Sequence, residues 1–153
     1  MKFNKHEHNN AFKVIAEGIR KDIEGVLYNL NPSPQEDTRK LRARILENLT
    51  KKGWSDQIRI STDTKITITS TLKDIGLCLQ TGNMGRFYAD LLKLQTLFCK
   101  KKIKVGVYII PTKFEAKKIG SNIAHFERFI DELKVFSETL TIPLIVYGFE
   151  RSG

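Results

Sequence analysis

No run of apolar residues in this 153-residue chain approaches the roughly 20 that a membrane helix needs, so the sequence offers no spanning segment. The opening stretch, Met1 to Asn10, is polar and holds two histidines, which does not fit a secretory signal; a cytoplasmic protein is the expectation. Cysteine is scarce. Cys78 and Cys99 share no metal-type spacing and are too few for a disulfide framework, so reduced, mostly buried thiols are expected. Internal repeats and low-complexity segments are also missing, which excludes solenoids and disordered tails. Acids are in deficit, with 17 Asp and Glu against 26 Lys and Arg, a net charge of +9. Such a surplus concentrates polyanions at the surface and releases counterions from each phosphate it neutralises, pointing to nucleic acid as partner.

What is present fits one domain with one buried core. Hydrophobic residues make up 41% and charged residues 28%, as in ordinary soluble folds. The only proline-rich break, Asn31-Pro32-Ser33-Pro34, separates two helical patterns. Before it, Ala11, Val14, Ile15, Ile19, Ile23, Val26, Leu27 and Leu30 predict one amphipathic helix over about 9–30. After it, Leu41, Ile45, Leu46 and Leu49 mark a second helix, with Arg39, Lys40, Arg42 and Arg44 at exposed positions and Gly53 as its stop.

The period then changes to two. Gln57 to Ile60, Lys65 to Thr71 and Ile75 to Gln80 read as consecutive strands joined by short turns. Phe87, Leu91, Leu92, Leu94, Gln95 and Phe98 outline a helix ending at Lys100-Lys101-Lys102. Ile103 to Ile110 and Ile142 to Phe149 are nearly all apolar, as strands buried on both faces are, and a helix is predicted over 122–140 between them. The expected fold is α/β: a central mixed β-sheet flanked by helices on both faces, in a single domain whose residues 1–8 fray.

In the stretch Ile75 to Gln80, alternation puts Ile75, Leu77 and Leu79 on one face and Gly76, Cys78 and Gln80 on the other. On the strand before it, Ile66 and Ile68 are expected toward the core, with Thr67 and Thr69 opposite. Thr69, Cys78 and Gln80 are thus expected to meet where two strands diverge. Short side chains on rigid strands in such a place can fix carboxylates around a divalent metal.

The segment Gly76-Leu77-Cys78-Leu79-Gln80-Thr81-Gly82-Asn83, with Arg86-Phe87-Tyr88-Ala89-Asp90-Leu91 after it, resembles the BglII-like branch of type II restriction endonucleases. So do Val105-Gly106-Val107-Tyr108-Ile109-Ile110-Pro111, Ser121-Asn122-Ile123-Ala124-His125-Phe126 and Ile142-Pro143-Leu144-Ile145-Val146-Tyr147-Gly148. The resemblance implies the PD-(D/E)XK nuclease scaffold, a homodimer on double-stranded DNA, and Mg²⁺ held by an Asp on one strand and a Glu on the next. Gln80 and Asn83 match the branch's pattern. Its Glu position falls on Cys78 and its Asp position on Thr69, so the catalytic positions Thr69, Cys78 and Gln80 keep only the last. A neutral hydroxyl and a soft thiol are poor ligands for Mg²⁺.

As the residues stand, no metal site and no cofactor are expected; Mg²⁺ is the cofactor if cleavage persists. The leading expectation is a DNA-binding protein with impaired or lost Mg²⁺-dependent cleavage. One alternative is an active nuclease with relocated acids, for which Asp74, Glu17, Glu24, Glu47 and Asp90 are candidates. Another is a non-catalytic interaction or assembly module. The nucleic-acid-binding candidates are Asn83 and Arg86 at the start of the helix after the central strand, and Lys100, Lys101, Lys102 and Lys104 at its end, joined by Lys113, Lys117 and Lys118. Trp54 and Tyr88 are aromatics for packing or stacking. His6-Glu7-His8 has no third metal ligand in view, and His125 reads as a packed or capping histidine.

Overall fold

Five strands form the central sheet of the computed structural model, which describes residues 1–152. They are β1 (Lys2–His8), β4 (Ser70–Leu72), β5 (Ile75–Leu79), β6 (Val105–Pro111) and β7 (Leu144–Glu150), in the spatial order β1-β7-β6-β5-β4. The three inner strands run parallel, and both edge strands pair antiparallel. A separate hairpin pairs β2 (Ile58–Arg59) with β3 (Thr67–Ile68). The helices are α1 (Ala11–Val14), α2 (Glu17–Asn29), α3 (Thr38–Thr50), α4 (Met84–Cys99), α5 (Lys113–Ile119) and α6 (Phe126–Val135).

Alternation along the inner strands divides the interior in two. Ile75, Leu77 and Leu79, Val105, Val107 and Ile109, and Ile145, Tyr147 and Phe149 pack against Ile23, Leu27, Leu41 and Ile45 of α2 and α3. Cys78, Tyr108, Ile110, Leu144 and Val146 face the other way, onto Phe87, Leu91 and Leu94 of α4 and Phe129 and Leu133 of α6. The expected mixed sheet with helices on both faces is therefore the observed architecture. Close approach explains two glycines: a Cβ at Gly148 would lie 2.5 Å from Phe126 Cγ, and one at Gly106 2.7 Å from Leu144 Cδ2.

Several local expectations are corrected. Residues 1–8 do not fray: Lys2 to His8 pair with Glu150 to Leu144 residue for residue, so backbone hydrogen bonds order a segment with little apolar content. His8 Nε2 lies 2.7 Å from the Leu140 carbonyl, and the Glu7 carboxylate accepts from Phe12 N–H at 3.0 Å, which gives that tract structural work. The helix over 9–30 breaks at Ile15-Ala16, both extended, into α1 and α2. Ile66 is 45% exposed, and Ile68 packs on the α4 side with Cys78, because the chain leaves the sheet to join β2. The helix over 122–140 shrinks to α6, while α5 fills the preceding connection. Gly53 does end α3, at a φ of 97° and with its N–H on the Thr50 carbonyl.

Candidate functional site

The site is built at the carboxyl end of β5. β4 pairs with β5 only as far as Ser70 opposite Leu77, and one residue earlier the chain turns away to pair with β2. Thr69 sits at that fork. Its Oγ1 accepts the Leu79 N–H at 3.1 Å, so one lone pair of the hydroxyl is spent on holding the fork shut. Cys78, only 1% exposed, turns into the apolar layer under α4. Burial pushes its thiol well up, helped by the Asp90 carboxylate and opposed by the Thr69 backbone and the charges of Lys93 and Arg42. It stays a neutral, inert group at ordinary pH.

Gln80 continues from β5 and is fixed at both ends. Its Nε2 donates to Asp90 Oδ2 at 2.8 Å, and its Oε1 accepts the Gly82 N–H at 2.8 Å. Asp90 is 8% exposed on the buried side of α4. It also accepts from the Tyr108 hydroxyl at 3.1 Å and from Lys93 Nζ at 3.3 Å. Burial, then the charge of Asp90, push the Tyr108 phenol well up, which keeps it a donor. Gln80, Asp90, Tyr108 and Lys93 form a closed network.

Arg42 enters from α3. Rather than lying exposed as expected, it is half-buried and donates through Nη1 to the Leu79 carbonyl. Burial pushes its guanidinium below its ordinary value; the charges of Asp90, Cys78 and Tyr108 oppose that, and Arg86 reinforces it. A cavity of about 280 Å³ opens beside it, lined also by Ser55, Asp56, Gln57 and Thr69. Sequence reasoning missed Arg42 and Asp56 as members of this site.

Asn83 is the N-cap of α4, its Oδ1 accepting the Arg86 N–H at 3.1 Å, so the amide secures the helix start and leaves its Nδ2 outward. The Arg86 stem passes over Gly82, where a Cβ would meet its Cδ at 3.0 Å and Gln80 Oε1 at 2.8 Å. Thr69, Cys78, Gln80, Asn83, Arg86 and Arg42 are thus one neighbourhood. The lysines are not. Lys100, Lys101 and Lys102 follow the far end of α4, a 16-residue helix about 24 Å long. Lys104 pairs with Asp74 at 3.5 Å just before β6 begins, whereas Lys113, Lys117 and Lys118 lie on α5 beyond its end. The two lysine groups therefore do not join, because β6 separates them. Lys100 and Lys102 instead line a cavity of about 610 Å³ with Arg59 and the hairpin turn.

The other candidates resolve locally. Trp54 is core, 2% exposed, and Tyr88 donates to Glu132 at 2.7 Å. His125 caps α6 by accepting the Arg128 N–H and pairs with Glu127. Of the acids proposed as relocated ligands, Glu17 and Glu47 pair with Lys21 and Lys51 on exposed helix faces. Glu24 accepts from Tyr147 and meets Lys5, and Asp74 is at the opposite end of β5.

A divalent cation finds poor donors here. Mg²⁺ takes hard oxygen ligands in near-octahedral array. The site offers a hydroxyl already bonded, a neutral buried sulfur, and one carboxylate whose two oxygens are engaged by three donors. Among the described residues, no three His, Cys, Asp or Glu side chains gather as a metal would require.

Comparison with curated proteins gives no match. Among solved structures, the chain is similar to restriction endonuclease BglII complexed with a DNA 16-mer, with a TM-score of 0.86 and 17% identity over 99% of this chain and 78% of that one. It is also similar to free BglII, with a TM-score of 0.79 and 19% identity over 99% of this chain and 81% of that one. A family model described as restriction endonuclease BglII/BglIII matches residues 3–149. The fork, the Gln80 network and the capped start of α4 therefore lie on a known scaffold, and the chain belongs to the BglII/BglIII restriction endonuclease family.

Proposed function

We propose that this protein binds double-stranded DNA, as a symmetric homodimer in the cytoplasm, without effective Mg²⁺-dependent cleavage. Family membership and the DNA bound by the similar BglII support the partner. The +9 charge supports it independently, since phosphate neutralisation dominates such affinity. In this reading Thr69 and Cys78 occupy the positions of the family's metal-binding Asp and Glu, while Gln80 and Asn83 keep their register. Arg86 and Asn83 contact the DNA backbone from the start of α4, and the Lys100–Lys104 cluster serves a more distant part of the duplex.

One observation carries the loss of cleavage: the fork holds a hydroxyl bonded to Leu79 and a thiol kept neutral by burial. Without a bound metal, neither an activated water nor a clamp on the leaving oxygen is available. The relocated-acid alternative finds no support, because each candidate carboxylate is paired or lies away from the fork. A gel shift on duplex DNA across a salt series, with the shifted DNA recovered after Mg²⁺ exposure, tests the reading. Salt-sensitive binding and intact DNA are expected. Failure to bind at low salt, or efficient cutting by the pure protein, overturns it.

A further inference from the structure

We propose that Arg42 is the resident cation of this site: it takes up the fork between β4 and β5 and grips a DNA backbone phosphate there without a metal. The proposal rests on the DNA-binding reading above and goes beyond it by naming the group that replaces the ion. A site stripped of two anionic ligands has no charge to hold Mg²⁺, but a guanidinium tethered to α3 brings its own charge and needs none.

The geometry supplies three supports. First, only Nη1 of Arg42 is engaged, by the Leu79 carbonyl. A guanidinium has five N–H donors in a planar fork suited to two phosphate oxygens. The unspent donors border the cavity of about 280 Å³, which also holds Thr69 and is open to a ligand. Second, the local charge lacks an anion. Among the described residues, neither Arg42 nor Arg86 has an ion-pair partner. They are close enough to disfavour one another, which a phosphate between them would relieve. Asp90 does not supply that anion, being taken by Gln80, Tyr108 and Lys93. Third, the cavity's remaining carboxylate, Asp56, is exposed at its rim and leaves the inner wall to hydroxyl and amide groups.

The test uses the full chain and a fluorescent duplex. Affinity is measured across a salt series for the unmodified protein, Arg42→Gln and Arg42→Lys, in EDTA and in MgCl₂ at matched ionic strength. Glutamine can still donate toward the Leu79 carbonyl, so it removes the charge with the smallest change in packing; circular dichroism verifies folding. Arg42→Gln is expected to weaken binding and make the slope of log affinity against log salt shallower by about 0.9, the value for one phosphate contact. Arg42→Lys is expected to retain the slope with lower affinity. Equal slopes and affinities for all three proteins overturn the proposal. So does affinity of the unmodified protein that rises to saturation with Mg²⁺, a readout independent of how the variants fold. If the unmodified protein binds no DNA at low salt, the functional reading itself fails, and the two failures are told apart.

Discussion

Replacing Asp90 with alanine removes the acceptor that holds Gln80, Tyr108 and Lys93 together. Hydrogen bonds to a charged group contribute about 1.5–3 kcal/mol each, and a buried donor left without a partner costs about 1–3 kcal/mol. Tyr108 is wholly buried, so its hydroxyl cannot turn to water, whereas Gln80 and Lys93 are partly open and recover some solvation. The Lys93 contact, itself partly exposed, adds no more than about 1 kcal/mol. Asp90→Ala is therefore expected to lose about 3–5 kcal/mol. Asp90→Asn keeps one oxygen where Oδ2 accepts from both Gln80 and Tyr108, and should lose about 1 kcal/mol, an interaction of ordinary strength. Urea unfolding reads both, with the midpoint falling at unchanged slope. Asp90→Ala within about 0.5 kcal/mol of the parent, a shift typical of uninvolved surface positions, would refute the network. A relocated metal ligand makes the opposite prediction: Asp90→Asn would abolish metal-dependent cutting while sparing stability.

Three further outcomes follow from other contacts. Arg151 donates to both oxygens of the wholly buried Glu115 and to the Glu36 carbonyl, so Arg151→Ala should cost about 3–5 kcal/mol in urea by stranding a carboxylate; a loss under about 1 kcal/mol would contradict this. Iodoacetamide at neutral pH should label Cys99, which is exposed, and spare Cys78 until denaturant is added, as mass spectrometry of the peptides would reveal; rapid native labelling of Cys78 would count against its burial. Burial pushes the Cys78 thiol and the Tyr108 and Tyr147 phenols upward, so the unfolded chain releases these protons at lower pH than the native one. Stability from these groups is full below their ordinary unfolded values and falls as alkaline pH rises through and above them, which melting temperatures across an alkaline series would detect; a flat series would be inconsistent.

Much of the fold was legible because its strongest signals are two-sided. Val105 to Ile110 and Leu144 to Phe149 are apolar at successive positions, and only a central strand between two helical layers accounts for that. β1 was invisible because Lys2 to His8 is an edge strand made by pairing with β7, not by an apolar pattern. α5 was equally hidden: its buried Glu115 reads as polar until Arg151, 36 residues later, arrives to pair with it. The meeting of Thr69, Cys78 and Gln80 followed from alternation, but the sides did not, since Ile68 joins the α4 layer once the chain swings toward β2.

Within the site, Asp90 carried a signal that periodicity makes readable: it falls three residues after Phe87 and four before Leu94, on the apolar stripe of α4. An acid at such a position needs buried partners. Arg42 carried no such mark. It flanks the stripe of Leu41, Ile45 and Leu49, and its bond to Leu79 spans 37 positions that only the packing of α3 on the sheet brings together.

Binding of DNA without a divalent metal is tested most directly by calorimetric titration of Mn²⁺ into the protein saturated with duplex DNA. No saturable event beyond that of DNA alone is predicted, with the duplex recovered uncut. A saturable site on the complex, accompanied by strand breaks, would contradict it.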